Sequence, residues 1–453
     1  MKHLHPSIGQ ARLRGHALSR LTAGICLALG VGAVHAQSLV ELYEAARGFD
    51  ATYLSARSQF DASVARAEQA RAGLLPQVGL GAGASWTNRD SSVAALDGTS
   101  NSQNVTLSAS QPLYRPANKI INDQGQRSVE VAKVQLQAAE QDLIVRTTQA
   151  YFDVLAAEDT LTFVKAQKTA VSEQLAAAKR NFEVGTSTIT DSREAQARFD
   201  LTTAQEIAAE NDLRVKKLAL DQLVGQNGTA PKPLVAPVQL PPLSPADPQA
   251  WVSQSEILSP NVLQAQKGLE IAQLETQKAE AGHLPTLDLV GQYQIARGPS
   301  GFTTIPGNVR NNNATVGLQF NMPLFAGYAI QNRVKETLSL EEKARADLEA
   351  AKRAVAQATR TAYFGVLSGQ SQVKALEAAE ASSQSALDAN KLGYQVGVRI
   401  NIDVLNAQSQ LFQTKRDLAL ARYNVLIGEL RLRQASGQLT ADDLLPVNAL
   451  LAR

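Results

Sequence analysis

The stretch Tyr151-Phe152 … Phe182-Glu183-Val184-Gly185 … Ile189-Thr190-Asp191 … Ala195-Gln196 … Gly225-Gln226 is answered 212 residues later by Tyr363-Phe364 … Tyr394-Gln395-Val396-Gly397 … Asn401-Ile402-Asp403 … Ala407-Gln408 … Gly437-Gln438. The offset is constant across the whole set, without a gap. A repeat of fixed period has to be read before single elements, because it sets the unit that folds. Each copy holds a long helical pattern, a break marked by Gly185 or Gly397, and a second long helical pattern. The repeat unit is half the protein.

Working outward, residues 117–181 run without proline and with one glycine, Gly125. As a single helix this stretch would be about 100 Å long, several times the usual helix of a globular domain. A matching helix is expected from about Ala329 to Leu392. Gly185 and Gly397 read as helix C-caps. Asp191-Ser192-Arg193-Glu194 reads as an N-cap with Glu at the third helical position, from which helix resumes to about Gly225. In the last helix Val404, Leu411, Leu418, Val425 and Leu432 recur at sevens, each followed three residues later by a small one (Ala407, Thr414, Ala421, Gly428, Ala435). A sustained heptad predicts coiled-coil packing, with the small residues letting a neighbouring helix come close.

Ahead of each long pair the period changes. Helical patterns from Ser38 to about Ala72 and from about Pro248 to Ala281 end at Gly73/Pro76 and Gly282/Pro285. Four runs of period two follow them, at about 77–87, 104–113, 286–296 and 314–324. Val78, Leu80, Ala82, Ala84 and Trp86 alternate with Gly, Ser and Thr in the first; Val316, Leu318, Phe320, Met322 and Leu324 alternate with Gly, Gln and Asn in the last. Polar loops join them in pairs. The predicted order is a first repeat over 37–225, a Pro-rich linker over 226–248, a second repeat over 249–436 and a tail over 437–453.

The leader reads separately. Lys2, Arg12, Arg14 and Arg20 precede an apolar run from Leu21 to Val34 and the small-residue site Val34-His35-Ala36, which predicts a signal peptide over 1–36. Cys26 follows Ile25 where a lipoprotein signal calls for a small residue, so it reads as part of the apolar run. Beyond the leader the chain has no cysteine and one histidine, His283, which leaves no thiolate chemistry and no histidine cluster. No Ser/His/Asp set, phosphate loop or metal cluster appears, so neither an enzyme nor a cofactor is expected. His283 reads as a structural residue. The net charge of +2 points to no nucleic-acid partner. No apolar run beyond the leader is long enough for a spanning helix.

Four strands with one apolar and one Gly/Ser/Thr/Gln/Asn face make an unstable sheet with open edges. In a membrane barrel the apolar face meets lipid and the polar face a lumen, and no edge stays open. Four strands are too few to close a barrel, so several copies must share one. Three copies give twelve strands, within the known range; the strands alone also admit two or four copies. The expected fold class is an α+β membrane protein, with a shared trimeric 12-stranded β-barrel and long antiparallel coiled-coil helices forming a periplasmic tunnel. Asp288 falls on the polar face and is expected in the lumen. Trp86, Tyr293 and Phe320 are candidate interfacial anchors, with Tyr114 and Phe325 in a lower girdle. The competing class is a periplasmic coiled-coil adaptor or scaffold, which would need no lipid-facing alternation.

With these residues in place the chain resembles the TolC family of outer-membrane efflux and type I secretion channels. Gly393-Tyr394-Gln395-Val396-Gly397-Val398-Arg399-Ile400-Asn401-Ile402-Asp403-Val404-Leu405-Asn406 carries the resemblance, together with Val184-Gly185 and Ile189-Thr190-Asp191. The resemblance implies a homotrimer in the outer-membrane lipid, extended into the periplasm of a Gram-negative cell. It implies docking to an inner-membrane transporter through a periplasmic adaptor, and an equatorial belt built from the linker and the tail. It also implies a gate at the periplasmic tip, with Tyr394 and Arg399 as donors, Thr190 and Asp191 as acceptors, and Asp403 as an acidic ring at the constriction. Relatives often carry a second Asp where this chain has Asn406, which halves the charge of the ring. Read from the residues alone, Asp191 and Asp403 also suit the first turns of helices, where acids complement the dipole, and Tyr394 suits packing.

Overall fold

The computed structural model describes residues 36–452 apart from 91, 93–97, 236, 239 and 300–306. The expected leader, with Cys26, lies outside the described residues up to position 35. The first half contains α1 (Leu39–Phe49), α2 (Ala51–Ala72), β1 (Gln77–Arg89), β2 (Gly98–Tyr114), α3 (Pro116–Glu183) and α4 (Ile189–Val224). The second half follows the same order with α5 (Pro248–Leu258), α6 (Pro260–Glu280), β3 (Thr286–Pro299), β4 (Asn308–Asn321), α7 (Ala329–Gln395) and α8 (Asn401–Ala435), and a short α9 (Leu444–Asn448) ends the chain.

Both helices expected ahead of the strands are broken. Asp50 leaves the helical region (ψ 117°), ends α1 and caps α2 by accepting the Tyr53 N–H at 2.8 Å. Its carboxylate also takes both Nη groups of Arg146 on α3 at 3.0 Å, and these bonds hold it below the usual carboxylate range. Ser259 breaks the second helix (ψ 129°) because Pro260 follows, and the residue before a proline is driven out of the α region.

The four strands form one antiparallel sheet in the order β1-β2-β3-β4, so the β2–β3 pair joins the two halves and β1 and β4 are open edges. Directly opposed residues share a face. The register places Leu80 opposite Leu107, Leu107 opposite Tyr293, Val105 opposite Ile295 and Leu289 opposite Leu318, which makes one continuous apolar face. That face is bare: Leu80 is 74% exposed and Val316 80%. The other face forms a hollow lined by Gly79, Ser108, Ser110, Gln292, Thr315 and Gln319.

The strands are 13 to 17 residues long, more than the ~9–11 that cross a bilayer. The excess is at the hairpin ends, where Gly98–Gln103 pairs with Ala84–Arg89 although β2 carries no apolar residue there; the backbone ladder holds this part of β2 without a hydrophobic pattern. At the other end β4 stops at Asn321, short of the expected 324, because Pro323 has no N–H to give the ladder. Exposed Leu324, Phe325 and Tyr328 gather there, with the Phe325 and Tyr328 rings edge to face at 5.5 Å.

Asp288 is on the polar face but is not a free lumen charge. It is 6% exposed and bonds Arg115 Nε at 2.7 Å and Nη2 at 2.5 Å. A register shift between Pro112 and Tyr114 lays Arg115 over it.

Below the sheet the long helices pair, α3 with α4 and α7 with α8. The heptad residues Val404, Leu411, Leu418, Val425 and Leu432 are all buried. Close approach uses small residues: a Cβ on Gly369 would come within 2.9 Å of Val425 Cγ2. Full burial of each Val or Leu contributes about 1.5–3 kcal/mol. Lys165–Glu210, Lys168–Glu206, Lys216–Asp153 and Lys217–Glu158 cross from α3 to α4 at 2.6–3.1 Å, but solvated pairs of this kind are worth ~0–1 kcal/mol each. The apolar seams therefore hold the pairs and the charges fix their register.

The linker and tail cross the helices partway along. Gln37 bridges to Pro231 and Leu234 to Leu451. The tyrosines that open the two sequence copies do the same work here: Tyr151 Oη donates to the Lys232 carbonyl at 2.9 Å, and Tyr363 Oη donates to the Ala246 carbonyl. Around Tyr151, Leu39, Tyr43, Leu143, Phe152, Leu430 and Leu444 form the largest core, while Tyr363 packs in a second one with Trp251, Val366 and Leu418.

Candidate functional site

The two helix breaks meet at the end of the long helices farthest from the sheet. Each break ends its helix in the same way. Gly185 (φ 78°) and Gly397 (φ 80°) take the left-handed conformation, and the N–H groups beyond them return to Asn181 O and Gly393 O.

The second helix of each pair starts differently. The cap of α4 is Thr188, not Asp191, so the helix begins three residues earlier than the Asp191 reading expects. Thr188 Oγ1 accepts the Asp191 N–H at 3.3 Å while Asp191 Oδ2 accepts the Thr188 N–H at 3.0 Å and its hydroxyl at 2.9 Å. This is a reciprocal capping box, and it occupies one oxygen of Asp191. Thr190 exchanges a hydroxyl hydrogen bond with Thr188. The equivalent cap of α8 is Ile400, which has no side-chain acceptor. Asp403 is free of that duty and turns to Arg399 Nη1 at 3.6 Å, within its own helix end.

Within one protomer, then, Arg399 faces Asp403 and not Thr190 or Asp191. Tyr394 Oη accepts from Asn181 Nδ2 at 3.2 Å, so its partner on the first helix pair is Asn181. The two pairs are joined further by Gln174 Nε2 to Asn401 Oδ1, by Asn401 Nδ2 to the Asp191 carbonyl at 3.5 Å, and by Arg198 Nη2 to Asn406 Oδ1 at 2.8 Å. Beneath them Val171, Leu175, Ala178, Ala195 and Leu405 form a small apolar core between the pairs.

The sequence offers a signal for one of the residues not singled out from it: Thr188 stands three before Asp191, the spacing of a capping box. Asn181, Gln174 and Arg198 carry no local signature. Two titratable groups nearer the belt, a phenol and a carboxyl, are perturbed. Burial pushes the Tyr423 phenol above its usual range, and its bond to Asp159 Oδ2 at 2.6 Å reinforces this. Burial also raises the Asp159 carboxyl, against that same bond.

A bare apolar sheet face, two open edges, a polar opposite face and ~100 Å of paired helices ending in a polar junction define a subunit of an outer-membrane channel. No helix among the described residues is long and apolar enough to cross a membrane. Comparison with known proteins agrees. The profile of the outer membrane efflux protein family matches residues 42–226 and 251–438. The chain is 33% identical over 427 residues to the outer membrane protein TolC of Vibrio cholerae, covering 94% of this chain and 97% of that protein. It is 28% identical over 446 residues to the proteases secretion protein PrtF of Dickeya chrysanthemi, covering 94% and 93%. In fold it is similar to the solved outer-membrane channel OprN, with a TM-score of 0.76 at 17% identity over 88% of this chain and 90% of that one. The chain belongs to the outer membrane efflux protein family. It is a subunit of an outer-membrane exit duct for efflux or type I secretion, a shared trimeric barrel continued into the periplasm by a helical tunnel.

Proposed function

We propose that this duct is a passive conduit, without chemistry of its own, gated at the meeting point of the two helix breaks. The carrying observation is that the breaks are side by side with side chains only partly satisfied. Arg399 is 59% exposed with one contact at 3.6 Å, and a single oxygen of Asp191 accepts the hydrogen bonds of the cap. Tyr394 and Arg399 would complete their bonds to Thr190 and Asp191 of a neighbouring copy, with Asp403 and Asn406 facing the constriction. Such solvated links are worth ~0–1 kcal/mol each, so a few of them in three copies can hold a tip closed and still yield to a docking partner. The partners this implies are a periplasmic adaptor and an inner-membrane transporter. Kinship both to efflux proteins and to a protease secretion protein supports cargo selection by those partners and not by the duct.

The test is single-channel conductance in planar bilayers. Arg399→Ala and Asp191→Ala are each expected to raise conductance, the double variant most. A double variant with wild-type conductance would sink the gate assignment.

A further inference from the structure

A groove of about 180 Å³ lies between α3, α4 and α8, between the tip and the belt. Its charged side chains are Arg198 and Arg416, and no carboxylate among the described residues lines it. Glutamines from all three helices (Gln167, Gln205, Gln413) and Thr202 supply neutral donors and acceptors, while Phe163, Phe412 and Leu201 make its apolar flanks. Both arginines have unused capacity. A guanidinium carries five N–H donors. Arg198 makes one hydrogen bond, to the neutral amide of Asn406. Arg416 has only the adjacent Asp417, at 3.8 Å, where contact is marginal. Glu206 on α4 does not serve it, being held by Lys168 at 2.6 Å. Several other interhelical cations of this tunnel meet carboxylates, as in Lys165–Glu210 and Arg422–Glu377.

Two under-satisfied guanidinium groups beside apolar walls, with neutral amides between them, form a receptor for an oxyanion, which guanidinium binds in a fork geometry that lysine does not offer. The groove is carried by helices well away from the sheet, so a free solute fits it and a lipid headgroup does not. We propose that the groove between α3, α4 and α8 binds a small oxyanion, inorganic phosphate or a carboxylate, through Arg198 and Arg416. Because α8 belongs to one helix pair and α3 and α4 to the other, a bound anion ties the two pairs together just behind the tip. If the tip is the gate, a claim that rests on the function proposed above, the anion favours the closed state.

The direct test is equilibrium dialysis of radiolabelled phosphate against the full-length protein in detergent, repeated with acetate as competitor. Saturable binding is expected, weakened about tenfold in Arg198→Gln or Arg416→Gln, as the loss of one charge-assisted bond predicts, and absent in the double variant. Heat-modifiable gel mobility checks that the variants assemble. A second measurement uses the wild type alone: phosphate is expected to slow phenylglyoxal modification of Arg198 and Arg416, read by peptide mass spectrometry, relative to exposed Arg193. No saturable binding, binding retained in the double variant, or no selective protection would overturn the site. The gating consequence is read separately, as lower conductance in phosphate than in chloride at equal ionic strength. Binding and protection without any conductance effect would leave the site standing and remove its link to the gate.

Discussion

The two helix breaks are built from the same sequence pattern, and they differ at one residue that decides how each acid is used. Thr188 and Ile400 hold equivalent positions, as do Asp191 and Asp403. With Thr188 as cap, Asp191 is drawn back into its own helix start at 3.0 Å. With Ile400 as cap there is no such claim, and Asp403 reaches Arg399. A second difference supports this. Where the first copy has Asn181, the second has Gly393, and a Cβ there would come within 2.7 Å of Arg399 Cγ. The glycine clears space for Arg399 to fold across the break, while Asn181 uses the same position to reach Tyr394 at 3.2 Å. The two turns share their left-handed glycine. The residues on either side of the glycine close one turn with a capping box and leave the other without one.

The comparison breaks first if the glycines are unequal. Gly185 and Gly397 share the left-handed conformation and have open space around a would-be Cβ, so replacement by alanine carries only the backbone cost, about 1–2 kcal/mol at either position. Gly185→Ala and Gly397→Ala are expected to lower tip protection in amide hydrogen exchange by similar amounts. A large difference between them would mean that the turns are not equivalent even in backbone.

The caps are expected to differ where the glycines do not. Thr188→Ala removes a capping box and should cost about 1 kcal/mol, frequently the worth of such a cap, with faster exchange in the first turn of α4. Ile400→Ala removes no side-chain bond and should leave the first turn of α8 nearly unchanged. Ile400→Thr is the sharper variant: it offers Asp403 the cap that Asp191 has, and should slow exchange at α8 while releasing Arg399. If Ile400→Thr leaves Arg399 paired, measured by its guanidinium NMR shift, the cap is not what frees Asp403.

Much of this molecule was legible in its sequence, for physical reasons that also mark where legibility stops. The heptad of α8 and the period-two runs are direct consequences of which faces are buried, so Val404 to Leu432 could be placed on a seam and Leu80 and Leu318 on one sheet face without a structure. The hairpin extension over Gly98–Gln103 could not, because backbone pairing there leaves no apolar imprint. Nor could the kink at Asp50, whose carboxylate is held by Arg146, 96 residues away. The Arg115–Asp288 pair depends on the β2–β3 register between halves, which no local pattern encodes. At the tip the turns and their glycines were readable; the partners actually taken within a protomer, Asn181 for Tyr394 and Asp403 for Arg399, were not. They follow from which residue stands at positions 188, 393 and 400, and each acts through a neighbour close in space.

The smallest expected effect is electrostatic and tests whether the freed acid faces the channel. Asp403 carries a charge shared with Arg399 at 3.6 Å, and the next position along that helix face is Asn406, held by Arg198 at 2.8 Å. A ring of three partly compensated carboxylates binds multivalent cations weakly, since each solvated pair interaction is only ~0–1 kcal/mol. Asp403→Ala is expected to weaken block of single-channel current by a trivalent hexammine cation by a few-fold (on the order of 1 kcal/mol) at low ionic strength, and less as salt is raised. Asp191→Ala should leave the block unchanged, because its carboxylate serves a helix start. Asn406→Asp should strengthen the block beyond wild type, its charge adding to that of Asp403, and by less than a bare carboxylate would because Arg198 is already in place to meet it. Equal effects of Asp191→Ala and Asp403→Ala on block would show that both acids face the pore, and the distinction drawn from Thr188 and Ile400 would then be one of helix capping alone.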